Sequence, residues 1–451
     1  MNKSIYEMTD SEIEILISSN LSINENKKKK NGEVFTPYSL INEMCNRLPL
    51  EVWSNPDYKW LDPCCGTGHF FMVIYNRLFD GLKDVIKDQD ERRNHIINKM
   101  LYMIELNDEN YDICVSHYGG NANIFCGSFL EDEWKKEFNV ERFDVIVGNP
   151  PYNKNGVAKG GSVFWKKFVF SSIDVLNTDG YLTLVHPKGW RKPIGKWASA
   201  GDVFEKFKQG NLIYLNLNDE KIKSFPTVDY YVWKKSNDYV STEYYCKYEK
   251  EVFKGNAHLQ DFPFIPNLLN ETVINIFIKL FKVEKQTKFN IVNNQSFKPR
   301  KRDIIKDPGT GIPHAFYYVP DDNKYIEAFK MYDNIPEYIS KKKVIITNKA
   351  GKKKALLYPM YDDGMMGTSR NTMYQIVENI QEGKSLIKYF NSQLIRFLLK
   401  ITQYSEPPNY ANEIKILNLL DKPNGVIEND DDVFRLYDLN ENEVSLILRH
   451  L

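Results

Sequence analysis

The chain has 451 residues, 42% of them hydrophobic and 27% charged, a balance that supplies a core for two or three domains and excludes disorder over most of its length. The formal net charge is zero, which by itself points away from a nucleic-acid partner. There is no signal-peptide core and no apolar run near eighteen residues, so a membrane span is not expected and a cytoplasmic protein is. The six cysteines include adjacent Cys64 and Cys65 rather than a spaced CxxC pair. With Cys45, Cys114, Cys126 and Cys246 they read as reduced, packed thiols, and no metal site is expected.

Charge is unevenly spread. Residues 1–260 carry 33 Lys/Arg against 36 Asp/Glu; residues 261–360 carry 18 against 10, a net of +8; residues 361–451 carry 9 against 14. A basic middle flanked by acidic segments permits a local phosphate-binding surface that the total conceals.

In chain order, residues 1–30 read as an amino-terminal arm with a basic run at 27–30, residues 31–255 as one domain and 256–451 as a second. In the first domain β-rich runs at 58–62, 101–105, 124–127, 143–147, 181–185 and 212–217 alternate with helical patterns such as 70–87 and 109–118. That alternation predicts an α/β fold, a doubly wound and mostly parallel sheet covered on both faces. Residues 84–98 read as an insertion, and 227–235 as a late strand at the sheet edge. Beyond 255 apolar runs are separated by long polar loops, including 298–313 and 362–372, with helices expected at 386–401 and 444–451. This part reads as a mixed α+β domain.

The strongest motif is Asn149-Pro150-Pro151-Tyr152, which follows the run FDVIV and Gly148. Open α/β sheets bind ligands at the carboxyl ends of their strands. Two prolines remove two backbone donors and fix the local dihedrals. The Asn149 carboxamide oxygen and the Pro150 carbonyl are then two acceptors for the hydrogens of an exocyclic amine, and Tyr152 offers a flat face for stacking. The second motif is LDPCCGTGHF at 61–70, a strand, a glycine turn and a helix. Gly66 and Gly68 allow close backbone approach to a cofactor, and Asp62, followed by Pro63, can bond a polar group of it. The spacing is neither the dinucleotide fingerprint nor a phosphate-cradling loop. Third, Glu105, followed by Leu106, ends the run LYMIE, where a carboxylate suits the hydroxyls of a ribose.

In this order the residues resemble the amino-methyltransferases of DNA in their gamma arrangement: cofactor half, catalytic half, then target-recognition domain. The resemblance covers roughly residues 30–235. It implies a Rossmann-like methyltransferase sheet, S-adenosylmethionine as cofactor, and N6 of adenine as the acceptor. GEVFTP at 32–37 resembles the segment that folds over the methionine end, implicating Thr36. NIFCGSFL at 123–130 resembles the adenine-binding motif, implicating Ser128 and Phe129. FPTVDYYVWKK at 225–235 resembles the motif whose leading aromatic clamps the extruded base, implicating Phe225 opposite Tyr152; HPKGWRKP at 186–193 matches the catalytic half more loosely. Ser128 stands where the family usually carries an acidic residue, so a hydroxyl or carbonyl must replace that acceptor.

The implied enzyme is an adenine-specific DNA methyltransferase that extrudes its base and transfers methyl by direct displacement, without covalent intermediate or metal. Cys64 and Cys65 lie in the cofactor turn, which argues against a cytosine-C5 thiolate. RNA adenine, a protein glutamine amide, or a catalytically silent DNA-binding relative are the alternative readings. Expected partners are double-stranded DNA and, left open, a separately encoded restriction endonuclease, with a monomer as the default state. The expected phosphate contacts are Lys298, Arg300, Lys301 and Arg302, then Lys341, Lys342 and Lys343, then Lys352, Lys353 and Lys354. The last two groups flank VIITNKAG, which reads as a hairpin presenting both on one side.

Overall fold

The computed structural model describes residues 4–23, 36–152, 164–193, 200–218, 228–281, 288–293, 311–319, 324–330, 334–347, 356–404 and 414–451. The chain divides into two units, Met1–Asp261 and Phe262–Leu451.

The first unit is built on nine strands: β1 (Trp60–Asp62), β2 (Leu101–Glu105), β3 (Asn123–Cys126), β4 (Phe143–Gly148), β5 (Leu176–Pro187), β6 (Asn211–Asn218), β7 (Val228–Lys234), β8 (Thr242–Tyr248) and β9 (Glu251–Ala257). Their order is β3-β2-β1-β4-β5-β7-β6-β8-β9. Strands β3, β2, β1, β4 and β5 are mutually parallel, and β7 lies antiparallel between β5 and β6. Central strands read as near-continuous apolar runs because helices cover both faces; all five residues of β2 are buried. The chain reverses direction of travel between β1 and β4, so the ends of these two strands open a crevice at the sheet's switch point.

Three expectations change here. Strand β7 is internal, paired on both sides, not an edge. The amino-terminal arm is in part core: helix Asp10–Ile23 places Ile13 and Ile17 in the same buried cluster as Phe71 and Ile74 of helix His69–Gly81. The boundary between units also falls after Asp261 rather than 255, because β9 still pairs along its length with β8.

The second unit is α+β, as expected. Strands β10 (Val292–Asn293), β11 (Ile312–Val319), β12 (Lys324–Lys330), β13 (Lys343–Thr347), β14 (Met360–Asp362), β15 (Gly367–Thr368) and β16 (Thr372–Ile376) form two sheets, β10-β16-β13-β14 and β12-β11-β15. The helix expected over 386–401 is two helices, Ile380–Asn391 and Gln393–Ile401. Ser392 breaks them: its extended backbone ends the first, and its side chain accepts from Ile395 N to cap the second. No helix among the described residues is long and apolar enough to cross a membrane.

Candidate active site

Cofactor-side residues meet at the ends of β1 and β2. After Asp62 the chain turns so that Cys64 N donates to Asp62 Oδ1 at 3.1 Å and Cys65 N to Ile104 O at 3.0 Å. Gly66 and Gly68 follow with φ of 57° and 83°, left-handed backbone that glycine adopts without penalty. Gly68 is fixed by contact as well: a Cβ there would lie 2.7 Å from Tyr118 Cε2, and the Tyr118 hydroxyl donates to Gly68 O at 2.6 Å. Glu105 ties the two strand ends together, its Oε2 accepting from Gly66 N at 2.8 Å and its Oε1 from Asn107 N at 2.9 Å. Each carboxylate oxygen has a second lone pair, so these bonds leave capacity for hydroxyls of a ligand.

Asp62 is buried, and burial pushes its pKa up to about 8; the Cys64 N–H partly offsets this and Glu105 adds to it. Cys65 and Cys114 are free, buried thiols with sulfurs 3.8 Å apart, and Cys114 Sγ donates to Gly66 O. Cys45 and Cys246 are buried too. Cys126 departs from the expectation of packed thiols: it is exposed at the end of β3, with its Sγ 3.1 Å from Asp108 Oδ1.

Around the expected adenine subsite, Leu106 is exposed and Phe129 buried. The Phe129 ring sits 5.8 Å from that of Trp134 and 5.9 Å from that of Phe168, an aromatic cluster that holds it rigidly. Ser128 Oγ accepts from Leu130 N at 3.3 Å.

The Asn149-Pro150-Pro151-Tyr152 turn, expected to be catalytic, leaves β4, the neighbour of β1. Gly148 has a φ of 154°, and a Cβ there would lie 2.8 Å from Asp62 Oδ1 and 3.5 Å from Pro63 Cδ. Only glycine lets the two turns approach so closely. Asn149 Nδ2 donates to Thr36 Oγ1 at 3.1 Å, so the amide nitrogen is held by Thr36 and the orientation of the carboxamide is set. Thr36, expected at the methionine end of a cofactor, therefore also touches the catalytic turn. Pro150 is buried; Pro151 and Tyr152 are half-buried. Burial raises the pKa of the Tyr152 hydroxyl, and the neighbouring Asn149 side chain partly offsets this.

Beside this turn lies a buried polar node that sequence reasoning passed over. Arg191 Nε donates to Asp229 Oδ2 at 2.6 Å and Trp190 Nε1 to the same oxygen at 3.0 Å. Arg191 and Asp229 are each only 2% exposed. His186, opposite Asp229 in the β5–β7 register, stacks on Trp165 with ring centroids 4.1 Å apart, and burial lowers its pKa to about 3. The available signal was Asp229 itself, a lone carboxylate inside the apolar run TVDYYVW.

Phe225 lies outside the described residues, as do Lys298, Arg300, Lys301, Arg302, Lys352, Lys353 and Lys354. Lys341 and Lys342 are half-exposed and pair with Glu337 at 3.0 Å and Asp363 at 4.0 Å. Lys343 corrects the expectation of an outward cluster. Its side chain is fully buried, bonded to Asp362 Oδ2 at 2.6 Å and to the carbonyls of Ile339 and Lys341. Strand β13 pairs antiparallel with the next strand, β14, and on its other side with β16, so it is an inner strand of its sheet.

Residues 14–183 match the family model for N-6 DNA methylases. An adenine-specific methylase, itself uncharacterized, of Mycoplasma pneumoniae is 27% identical over 59% of this chain and 82% of its own length. The type II methyltransferase M.VspI of a Vibrio species is 28% identical over 36% of the chain, and 38% of M.VspI is covered. For the modification methylase CviBIII of a Paramecium bursaria Chlorella virus the values are 29% and 37%, with 40% of that protein covered. The chain thus spans most of the first relative and well under half of the other two. Among solved structures, the type IIL restriction-modification enzyme MmeI in complex with DNA superposes with a TM-score of 0.54 over 90% of this chain and 70% of that one, at 10% identity. At that identity the likeness is one of fold.

Proposed function

We propose that the protein is an adenine-specific DNA methyltransferase of a restriction-modification system, using S-adenosylmethionine to methylate the N6 amino group of an extruded adenine. The observation that carries this reading is the junction of the two turns. Gly148 seats Asn149 against Asp62 and Pro63, and Thr36 holds the Asn149 amide from the cofactor side.

The residues present fit the cofactor. Gly66 and Gly68 take left-handed backbone that keeps their turn free of side chains, Glu105 offers acceptors for a ribose, and Asp62 and Thr36 offer polar groups for the methionine end. Leu106, Ser128 and Phe129 would bound its adenine. When bound there, S-adenosylmethionine supplies an electrophilic methyl group. The chain's own part is to bind, orient and desolvate. The Asn149 carboxamide and the Pro150 carbonyl accept the two hydrogens of the target amine, which draws its nitrogen toward tetrahedral geometry and frees the lone pair for in-line attack. Tyr152 supplies a stacking face on one side of the base; Phe225 is assigned the other by resemblance. The proton released as the new N–C bond forms leaves through the acceptors to solvent.

Double-stranded DNA is the proposed substrate, with Lys298, Arg300, Lys301, Arg302, Lys341, Lys342, Lys352, Lys353 and Lys354 as proposed phosphate contacts. Modification-sensitive sequencing of DNA from a host expressing the chain tests the whole reading. N6-methyladenine at one repeated motif is expected; its absence, or another modified base, contradicts it.

A further inference from the structure

The second unit contains a short connection whose residues are nearly all buried. Strand β15 and strand β16 are joined by Ser369, Arg370 and Asn371, and this link passes from one sheet of the unit to the other. Of the six residues from Gly367 to Thr372, only Arg370 is exposed. Thr368, Ser369 and Thr372 are wholly buried, and Asn371 nearly so.

A connection that merely crossed between sheets would be served by apolar or solvated residues. Here the buried groups are polar, and their bonds converge on the loop. Ser369 N donates to Thr372 Oγ1 at 2.9 Å, and the Thr372 hydroxyl donates onward to Ala315 O at 2.7 Å. Asn371 N donates to Ser369 Oγ at 3.3 Å, and the Thr347 hydroxyl to Asn371 O at 3.3 Å. Asn293 Nδ2 donates to the Arg370 carbonyl itself at 3.3 Å. The Thr368 hydroxyl has no hydrogen-bond partner, but the bonds made by Ser369, Asn371 and Thr372 tie the link to its neighbours, and buried networks of this kind rigidify a backbone. Strands β11, β13 and β10 thus all hold one short link, and that link projects one guanidinium.

We propose that Arg370 is a specificity-determining residue that reads a guanine edge in the major groove of DNA, its planar fork donating to O6 and N7. This rests on the reading of the chain as a DNA methyltransferase. A base reader needs a fixed backbone, because bidentate geometry fails when the guanidinium is displaced, whereas a phosphate contact tolerates a mobile side chain. The loop's rigidity is the feature that separates the two roles. Guanine is the base whose two acceptors match an arginine fork.

The test uses the full-length chain with S-adenosylmethionine, wild type and the variants Arg370→Ala and Arg370→Lys. Duplexes are selected by binding from a randomised pool, and methylated sites are mapped in parallel. Arg370 is exposed, and thermal melts check that both variants are folded. The wild type is expected to select a motif that contains guanine at one position. Arg370→Ala should lose about 10- to 100-fold discrimination at that position alone, and Arg370→Lys should keep part of it. Cofactor affinity should not change. An unaltered motif in Arg370→Ala overturns the proposal, as does a wild type that selects no sequence. Weaker binding to all sequences alike, with the salt slope flattened by about 0.9, also overturns it and assigns Arg370 to a phosphate. A selected motif without methyladenine counts against the enzymatic reading alone, since base reading is scored by binding.

Discussion

Glu105 does two things at once, and its variants should separate them. Its carboxylate braces the glycine turn through Gly66 N and, by proposal, bonds the cofactor ribose. Glu105→Gln keeps an acceptor for the amide but removes the charge; Glu105→Ala removes both. Hydrogen bonds to a charged acceptor are worth about 1.5–3 kcal/mol each, so calorimetry should show cofactor affinity falling in both variants and further in Glu105→Ala. An unchanged dissociation constant would reduce Glu105 to a brace. Asp62 gives a pH prediction. Burial holds its pKa near 8 in the cofactor-free chain, so at neutral pH it is mostly protonated, and its contribution to stability is lost as pH rises from the ordinary carboxylate range through 8. A cationic cofactor favours the ionised form. Binding should therefore release a proton and tighten as pH rises from about 6 toward 8, and Asp62→Asn should remove that dependence. A flat profile in the wild type would mean that Asp62 does not face the cationic end. The identities of these residues were legible because strand, turn and helix follow each other in sequence. The second task of Glu105 was not, because Gly66 lies 39 residues away.

At the scale of elements, parallel strands were readable where both faces are buried, as in LYMIE of β2. Their flanks were not. Strand β5 begins at Leu176 rather than near Tyr181, but its register with β4 shifts between the two and Asp179 has a φ of 63°, so the turn-like residues 177–180 form an irregularity within the strand. Strand β7 reads as an edge because its alternation cannot reveal how many neighbours it has. The Arg191–Asp229 pair follows from its internal position, joining β7 to the turn after β5. Removing one partner of a buried pair strands a charge and typically costs about 3–5 kcal/mol. Asp229→Ala should lower the denaturant midpoint accordingly, and Asp229→Asn, which keeps an acceptor for Trp190, should cost less. Midpoints equal to wild type for both would show that the node holds nothing together.

Over the whole molecule, a neutral chain that binds DNA has to concentrate its cations, and the +8 segment from 261 to 360 is where the sequence does so. Lys343 shows the limit of counting charges: three consecutive lysines read as one surface cluster, yet the third neutralises Asp362 inside the fold, a partner that composition cannot identify. Replacing Lys352, Lys353 and Lys354 by Gln should weaken binding to all sequences alike and flatten the salt slope by about 0.9 for each phosphate that is no longer neutralised. Lys343→Gln should leave the slope unchanged and lower stability instead. A wild-type slope in the triple variant would place the DNA track elsewhere.

The most direct measurement on the central claim is methyl transfer to adenine by Asn149→Ala, alongside its affinity for S-adenosylmethionine. The proposed cofactor turn is carried by β1 and β2 and the proposed amine acceptors by the turn after β4, so the variant should bind cofactor within a few-fold of wild type, with no detectable N6-methyladenine formed. Substantial turnover by Asn149→Ala would contradict the account.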